Sequence, residues 1–367
     1  MSLLEELARK KEGLSRVETA DKSGPKLGGY VNEAEIEAYR QEVIESNIET
    51  WLEPLGEHTF QTYFVPLEEE DAIALKLNYH NDSKTPSDIE DTMTPEAITE
   101  RISNLKAKVQ AKIDEVLDDV KKDNIPGQAQ DGVFIKMSSR SAKDSPVYSE
   151  GLKKLYLEYM STCKERDVNA KAQGLLHAAT KLLKVSSAET AFQFFTKSER
   201  IAQDMEVALA KRGEDFQMNV VIRRWTDIDI DMEFRGFYNN GKLTALSQYN
   251  YIVVFDRLLE EGRKEKIQQQ IVEFFDSEIK PRLDAVGFKR YIVDFALTGE
   301  NNDRIYVIEL NPFLSSTDSA LFSWKKEQPL LENGPFEFRL TTEKNPNLLP
   351  QLGIEWREVI ECVPIPQ

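Results

Sequence analysis

One stretch limits what this chain can fold into more than any other: YIVDFALTGENNDRIYVIELNPFLSSTDSALFSW at 291–324. Its runs 291–297 and 304–311 are β-branched and aromatic, and the polar TGENND between them is turn-forming, so the pair predicts a β-hairpin. Side chains alternate across a strand, which puts Ile305, Val307, Glu309 and Asn311 on one face and Tyr306, Ile308 and Leu310 on the other. Asp294 lies on the facing strand. Two carboxylates and an amide around one point make a set of hard oxygen donors, the kind magnesium takes on a polyphosphate. Acids on the open face of an antiparallel sheet are the plainer reading. Pro312 and Phe313 argue for the site, because they close the strand with a rigid, apolar corner directly after Asn311.

The rest of the chain supplies a core large enough to hold such a hairpin. At 367 residues with 40% hydrophobic content, one large domain or two can form. A net charge of −17 argues against a broad phosphate-binding surface, although a local basic channel is compatible with it. Cys163 and Cys362 are too far apart in sequence to build a disulfide framework or a zinc spacing. No run of eighteen apolar residues occurs, and a cytoplasmic protein is expected.

Helical spacing at 34–48 (Ile36, Tyr39, Val43, Ile44) precedes TWLEPLGEHTFQTYFVPL, which alternates like a strand entering a turn, with Trp51, Phe60 and Phe64 as core candidates. After the acidic stretch 81–94, Thr94 and Pro95 sit at the cap and first turn of a helix. Its stripe is Ile98, Ile102, Leu105, Val109, Ile113, Val116 and Val120. Residues 149–210 are expected to be helical. The segment 216–251 reads as three strands, and 257–284 as a helix carrying Ile267, Ile271, Phe274, Phe275 and Ile279. His58 and His177 are each isolated and are assigned no chemical role.

A second chemical stretch is DGVFIKMSSRSAKDSP at 131–146. Lys136 lies in an otherwise apolar strand, where an ammonium must reach water or an anion. Ser138, Ser139 and Ser141 offer hydroxyls while Arg140 and Lys143 offer charge, a set able to wrap a polyphosphate. An edge strand with a protective lysine and a serine-rich turn is the plainer alternative. Neither G-x-x-x-x-G-K-S/T nor G-x-G-x-x-G occurs, so both standard phosphate loops are excluded. Further on, Arg223 follows three aliphatic residues, and Glu233 and Arg235 share a strand face, as an ordinary intra-sheet ion pair would.

These blocks, taken in order, resemble the Cell Division Cycle 123 (D123) family, atypical members of the ATP-grasp fold. The likeness covers roughly 47–325. It rests on Trp51 with Thr59-Phe60-Gln61-Thr62, Lys136 with SSRSAKD, Arg223-Arg224-Trp225, Glu233-Phe234-Arg235, Ser247-Gln248, and Asp294 with Glu309-Leu310-Asn311-Pro312-Phe313 and Thr317-Asp318 to Trp324. The resemblance implies an α+β ATP-grasp protein, two α/β lobes with antiparallel sheets clasping ATP and magnesium, behind a flexible or helical N-terminal arm. The corresponding division is 1–33 for the arm, 34–215 for the N-terminal lobe with helical insertions, and 216–367 for the C-terminal lobe with the metal site.

The resemblance also assigns residues. Lys136, Ser138, Ser141, Lys143 and Asp144 would take the phosphates. Arg223, Arg224 and Trp225 would lie by the adenine, with Glu233 and Arg235 also on the nucleotide, and Asp294, Glu309 and Asn311 would hold magnesium. Two departures stand out: family members carry Asn-Trp-Ser-Ala-Pro before the basic residue, and aspartate where Glu309 stands. Two function classes follow. One is a nucleotide-dependent assembly factor that binds the gamma subunit of eukaryotic translation initiation factor 2. The other is an ATP-dependent ligase acting on a phosphate or carboxylate, RNA ends included, with Lys136, Arg140 and Arg235 as its catalytic candidates.

Overall fold

The computed structural model describes residues 33–79, 93–123, 128–210, 213 and 216–362. The arm at 1–32 and the acidic turn at 81–92 lie outside them. The chain divides into two compact units. One comprises 61–152 and 179–226; the other comprises residues up to 60, 153–178, and 227 onward. The expected single boundary at 215/216 does not match this division, because the strand that follows it pairs backward with strands from 62–66 and 128–137.

The smaller unit holds a four-stranded sheet. Its strands are β1 (Thr62–Pro66), β2 (Gln128–Met137), β3 (Lys184–Val185) and β4 (Asn219–Thr226), in the order β1-β4-β2-β3 and antiparallel throughout. The helix Pro95–Asp123 starts where its cap residue predicts, with the Ala97 N–H donating to Thr94 Oγ1 at 3.2 Å. Its stripe from Ile102 to Val120 is buried against Val65, Val133, Ile135, Met137, Val220 and Ile222. Those strand residues all occupy one face, so the opposite face of the sheet carries Phe64, Phe134, Lys136, Val221, Arg223 and Trp225. The stretch read as a strand at 50–67 is instead the helix Ile48–Leu55 followed by β1. Ile48, Trp51 and Leu55, all buried, recur at helical rather than strand spacing.

The larger unit holds five strands: β5 (Glu233–Asn239), β6 (Lys242–Gln248), β7 (Arg290–Thr298), β8 (Arg304–Asn311) and β9 (Glu337–Arg339), in the order β8-β7-β5-β6-β9. Among these five strands β6 and β9 pair in parallel and the other neighbours are antiparallel. The predicted hairpin is β7–β8. The expected helix over 257–284 forms as Arg263–Phe274, a π turn at Phe275–Ile279, and Lys280–Ala285. The sequence explains the π turn. Ile267, Ile271, Phe275, Ile279 and Leu283 are buried at uniform intervals of four. Four residues of α-helix overshoot a full turn by about 40°, so a stripe this regular drifts off the sheet unless one wider turn rotates it back. Among the described residues no helix is long and apolar enough to cross a membrane.

Candidate functional site

The charged band of the larger unit is built on strand register. Asp294 stands opposite both Arg235 on β5 and Glu309 on β8, and Ser247 stands opposite Arg235 from β6. Asn311 follows two residues after Glu309 on the same face. A β-bulge between these pairs and the next changes the alternation expected from sequence. Phe295 pairs with Val307, leaving Ile308 as the extra residue. Val307 therefore turns to the face opposite Glu309, where it is fully buried. Glu309 and Asn311 keep the side predicted for them; Ile305 and Val307 do not share it.

Arg235 is the centre of this band. Its Nε donates to Asp294 Oδ1 at 2.8 Å and its Nη2 to Asp294 Oδ2 at 2.7 Å, a bidentate pair with both side chains almost fully buried. Its Nη1 donates to the carbonyl of Asp318 at 2.9 Å, and its guanidinium carbon lies 5.0 Å from the Tyr249 ring centroid. Burial disfavours the guanidinium's charge, yet Asp294 outweighs that and holds the pKa of Arg235 well above its ordinary value. The plainer reading of Glu233 and Arg235 as an ion pair along one strand does not describe the partner that Arg235 takes. Glu233 stands opposite Ala296 in register, whereas Arg235 faces Asp294.

Hard oxygen donors from two adjacent strands on one face fit a divalent cation in type. Their present bonding qualifies that fit. Both oxygens of Asp294 are engaged by Arg235, and Asn311 presents its amide nitrogen to Asp294 Oδ2 at 3.0 Å. Among the described residues no group of three or more His, Cys, Asp or Glu side chains gathers as a metal cluster, so a cation here would depend on the Asn311 amide oxygen as well as carboxylates.

Sequence reasoning did not assign Asp318, Tyr249 or Ser247 a place around Arg235. The segment 313–324 carries the first of them. It leads from β8 to the helix Trp324–Asn333, with the Leu321 N–H donating to Ser247 Oγ at 3.2 Å and Trp324 Nε1 to the Thr317 carbonyl at 2.7 Å. Phe313, Phe322 and Trp324 surround Phe237, with ring centroids 6.1, 5.8 and 6.1 Å away. The signal available in sequence was Phe313 with Trp324, an aromatic pair bracketing a polar turn.

In the smaller unit the candidate residues separate into two groups. Lys136 and Arg223 share the sheet face opposite the helical core; Lys136 stands across from Val221, two residues before Arg223, and Trp225 follows on that face. Arg224 points the other way. Its Nη1 lies 2.7 Å from Asp123 at the end of the long helix and donates to Gln128 Oε1 at 3.3 Å, while its Nη2 donates to Tyr63 Oη at 3.4 Å. Burial disfavours its charge, but Asp123 and Tyr63 hold its pKa above the ordinary value. The triplet 223–225 therefore does not act as one block, because strand alternation separates its middle residue.

The loop 138–144 is tied into its own unit. Arg140 Nε donates to Asp204 Oδ1 at 2.6 Å and its Nη2 to the Arg200 carbonyl at 3.0 Å; the Ser139 hydroxyl also contacts Asp204. Asp144 accepts from the Ser198 hydroxyl at 2.5 Å and from the Arg200 N–H at 3.3 Å, where the helix Glu199–Leu209 begins. The Ser141 carbonyl accepts from Arg200 Nε at 3.0 Å, and Ser138 Oγ accepts the Asn219 N–H at 2.9 Å. These contacts hold the loop to the helix Glu199–Leu209, with Asp144 at its N-terminus and Arg140 and Ser139 at Asp204 further along, and to β4 through Ser138. Lys143 is partly exposed at the loop's end.

The fold and the charged bands define an α+β protein of two sheet-bearing units. Residues 172–352 match the D123 family model, and over that stretch the chain is similar to that family. It is 26% identical over 219 residues to the translation initiation factor eIF2 assembly protein of Vanderwaltozyma polyspora, covering 55% of this chain and 56% of that protein. It is 32% identical over 136 residues to cell division cycle protein 123 of Candida glabrata, covering 35% of each. The matched stretch thus spans about half, or less, of the length of these curated relatives. The structure of Cdc123 from Schizosaccharomyces pombe superposes with a TM-score of 0.52 at 18% identity, covering 83% of this chain and 98% of that one, and shares its fold.

Proposed function

We propose that this chain is an assembly factor for eukaryotic translation initiation factor 2, and that it binds ATP and magnesium as an ATP-grasp protein does. The observation carrying this reading is the D123 match at 172–352, which contains Arg223, Arg235, Asp294, Glu309 and Asn311. The same interval is where the strand register of the larger unit gathers its acids. Its partner on this reading is the gamma subunit of the factor.

Glu309 and Asn311 would hold the magnesium ion, with Asp294 beside them. Bound there, magnesium would neutralise phosphate charge. Lys136 and Arg223 offer cationic groups on one sheet face for the phosphates, and Trp225 on the same face offers an aromatic surface for a base. The ligase alternative counts Arg140 among its catalytic candidates, and Arg140 is engaged by Asp204.

The test has two arms. Native mass spectrometry of the chain with the isolated gamma subunit should register a one-to-one complex, and no complex at micromolar concentrations would remove the assembly reading. Calorimetry should find ATP–magnesium binding weakened about tenfold or more in Lys136→Met and Glu309→Ala, the effect of losing one charge-assisted contact. Wild-type affinity in both would remove the nucleotide reading.

A further inference from the structure

Arg235 connects two parts of the larger unit. Through Nε and Nη2 it holds Asp294, and through Nη1 it holds the Asp318 carbonyl in the segment 313–324. That segment contains Ala320 at φ 51°, a left-handed conformation that disfavours an L-alanine, so its shape depends on the contacts that hold it. Contacts from the sheet reach it from Arg235 on β5, from Ser247 on β6, and from Arg339 on β9, whose Nη1 donates to the Leu321 carbonyl at 3.0 Å.

Asp294 has little acceptor capacity left. Its Oδ2 takes both Arg235 Nη2 and Asn311 Nδ2, while Oδ1 takes Arg235 Nε. A divalent cation lodged between Glu309 and Asn311 would draw on the same carboxylate. It would also stand near a buried guanidinium of like charge, where repulsion is weakly screened. The guanidinium must then withdraw from Asp294. When it shifts, its bond to the Asp318 carbonyl cannot keep its present geometry.

We infer that Arg235 is a positioning residue that couples Asp294 to the 313–324 segment, so that a divalent cation drawing on Asp294 loosens that segment. The trigger rests on the magnesium reading above; the mechanical link rests on the hydrogen bonds of Arg235 alone. The coupling gives the polar band a way to report its occupancy to the segment carrying Phe313, Phe322 and Trp324.

The experiment is hydrogen–deuterium exchange on the full chain, read over peptides spanning 313–324, with magnesium chloride as the only added ligand and calorimetry run in parallel. A single replacement leaves an unpaired buried charge and risks misfolding. The variant used is therefore the double Arg235→Met with Asp294→Leu, which removes both charges together. Without magnesium, this variant should exchange about fivefold faster than wild type over 313–324, the effect of one lost hydrogen bond on local opening, while the helix Pro95–Asp123 keeps its rate. Saturating magnesium should speed exchange over 313–324 in the wild type and leave the double variant unchanged. Unaltered exchange over 313–324 in the double variant would overturn the link, as would magnesium binding in the wild type with no change there. Faster exchange in the variant with no magnesium binding by calorimetry would support the link and remove the free magnesium ion as its trigger.

Discussion

The band around Arg235 and the loop 138–144 both combine charged and hydroxyl side chains, and both look like ligand sites in sequence. They differ in what fixes them. In the larger unit the charges sit where strand pairing puts them, with Asp294 opposite Arg235 and Glu309 whatever else binds. In the loop they are drawn to a helix N-terminus and a neighbouring acid, so Arg140 and Asp144 already have structural work to do. Backbone register keeps the strand positions of Arg235, Asp294 and Glu309 together even when a side chain changes partner, whereas a loop held by its side-chain contacts loses its anchor when one of them lets go.

This contrast is breakable, most severely at Asp294. Asp294→Ala leaves the buried Arg235 unpaired and should cost about 3–5 kcal/mol of stability, measured by urea denaturation. A loss under 1 kcal/mol would mean that water reaches the guanidinium and that the band is softer than its burial implies.

In the loop, Arg140→Ala strands the buried Asp204 carboxylate and should cost about 1–3 kcal/mol while leaving ATP affinity at the wild-type value. A fall in affinity without a fall in stability would reverse the assignment and return the ligase reading to consideration. The smallest effect concerns the segment held by Arg235. Ala320→Gly removes left-handed strain but adds chain entropy to the unfolded state, so a gain of at most about 1 kcal/mol is expected in thermal unfolding. A loss of stability would indicate that the alanine methyl packs where glycine leaves space.

Much of the framework was legible because periodicity reports local geometry. The stripe of Pro95–Asp123 and the alternation at 291–311 each mark their element before any contact is known. What periodicity omits is the identity of the partner. Asn219–Thr226 reads as a strand in isolation, but nothing in VVIRRW reveals that it pairs with β1 and β2 rather than with β5. Arg235 meets Asp294 across 59 residues of sequence, and the nearer Glu233 was the natural guess. The bulge at Ile308 was also hidden, since one extra residue reverses the faces before it and leaves Glu309 and Asn311 as read. The loop 138–144 failed as a signal for a chemical reason: a serine hydroxyl serves a phosphate or a helix N-terminus, and an arginine serves a phosphate or a neighbouring carboxylate.

The interleaving of the two units has a consequence for how the chain is made. All four strands of the smaller sheet end by Thr226, and the first strand of the larger sheet begins at Glu233. During vectorial synthesis the smaller sheet has every strand available before any strand of the other emerges. The helical stretch 153–178 is made early but belongs to the later unit. Asn169 waits for the backbone of Val254, bonding its N–H at 2.8 Å and its carbonyl at 2.9 Å across 85 residues. A nascent chain arrested after Thr226 would therefore carry a completed sheet beside amphipathic helices whose partners do not yet exist, which is the stage at which it would most need a holdase.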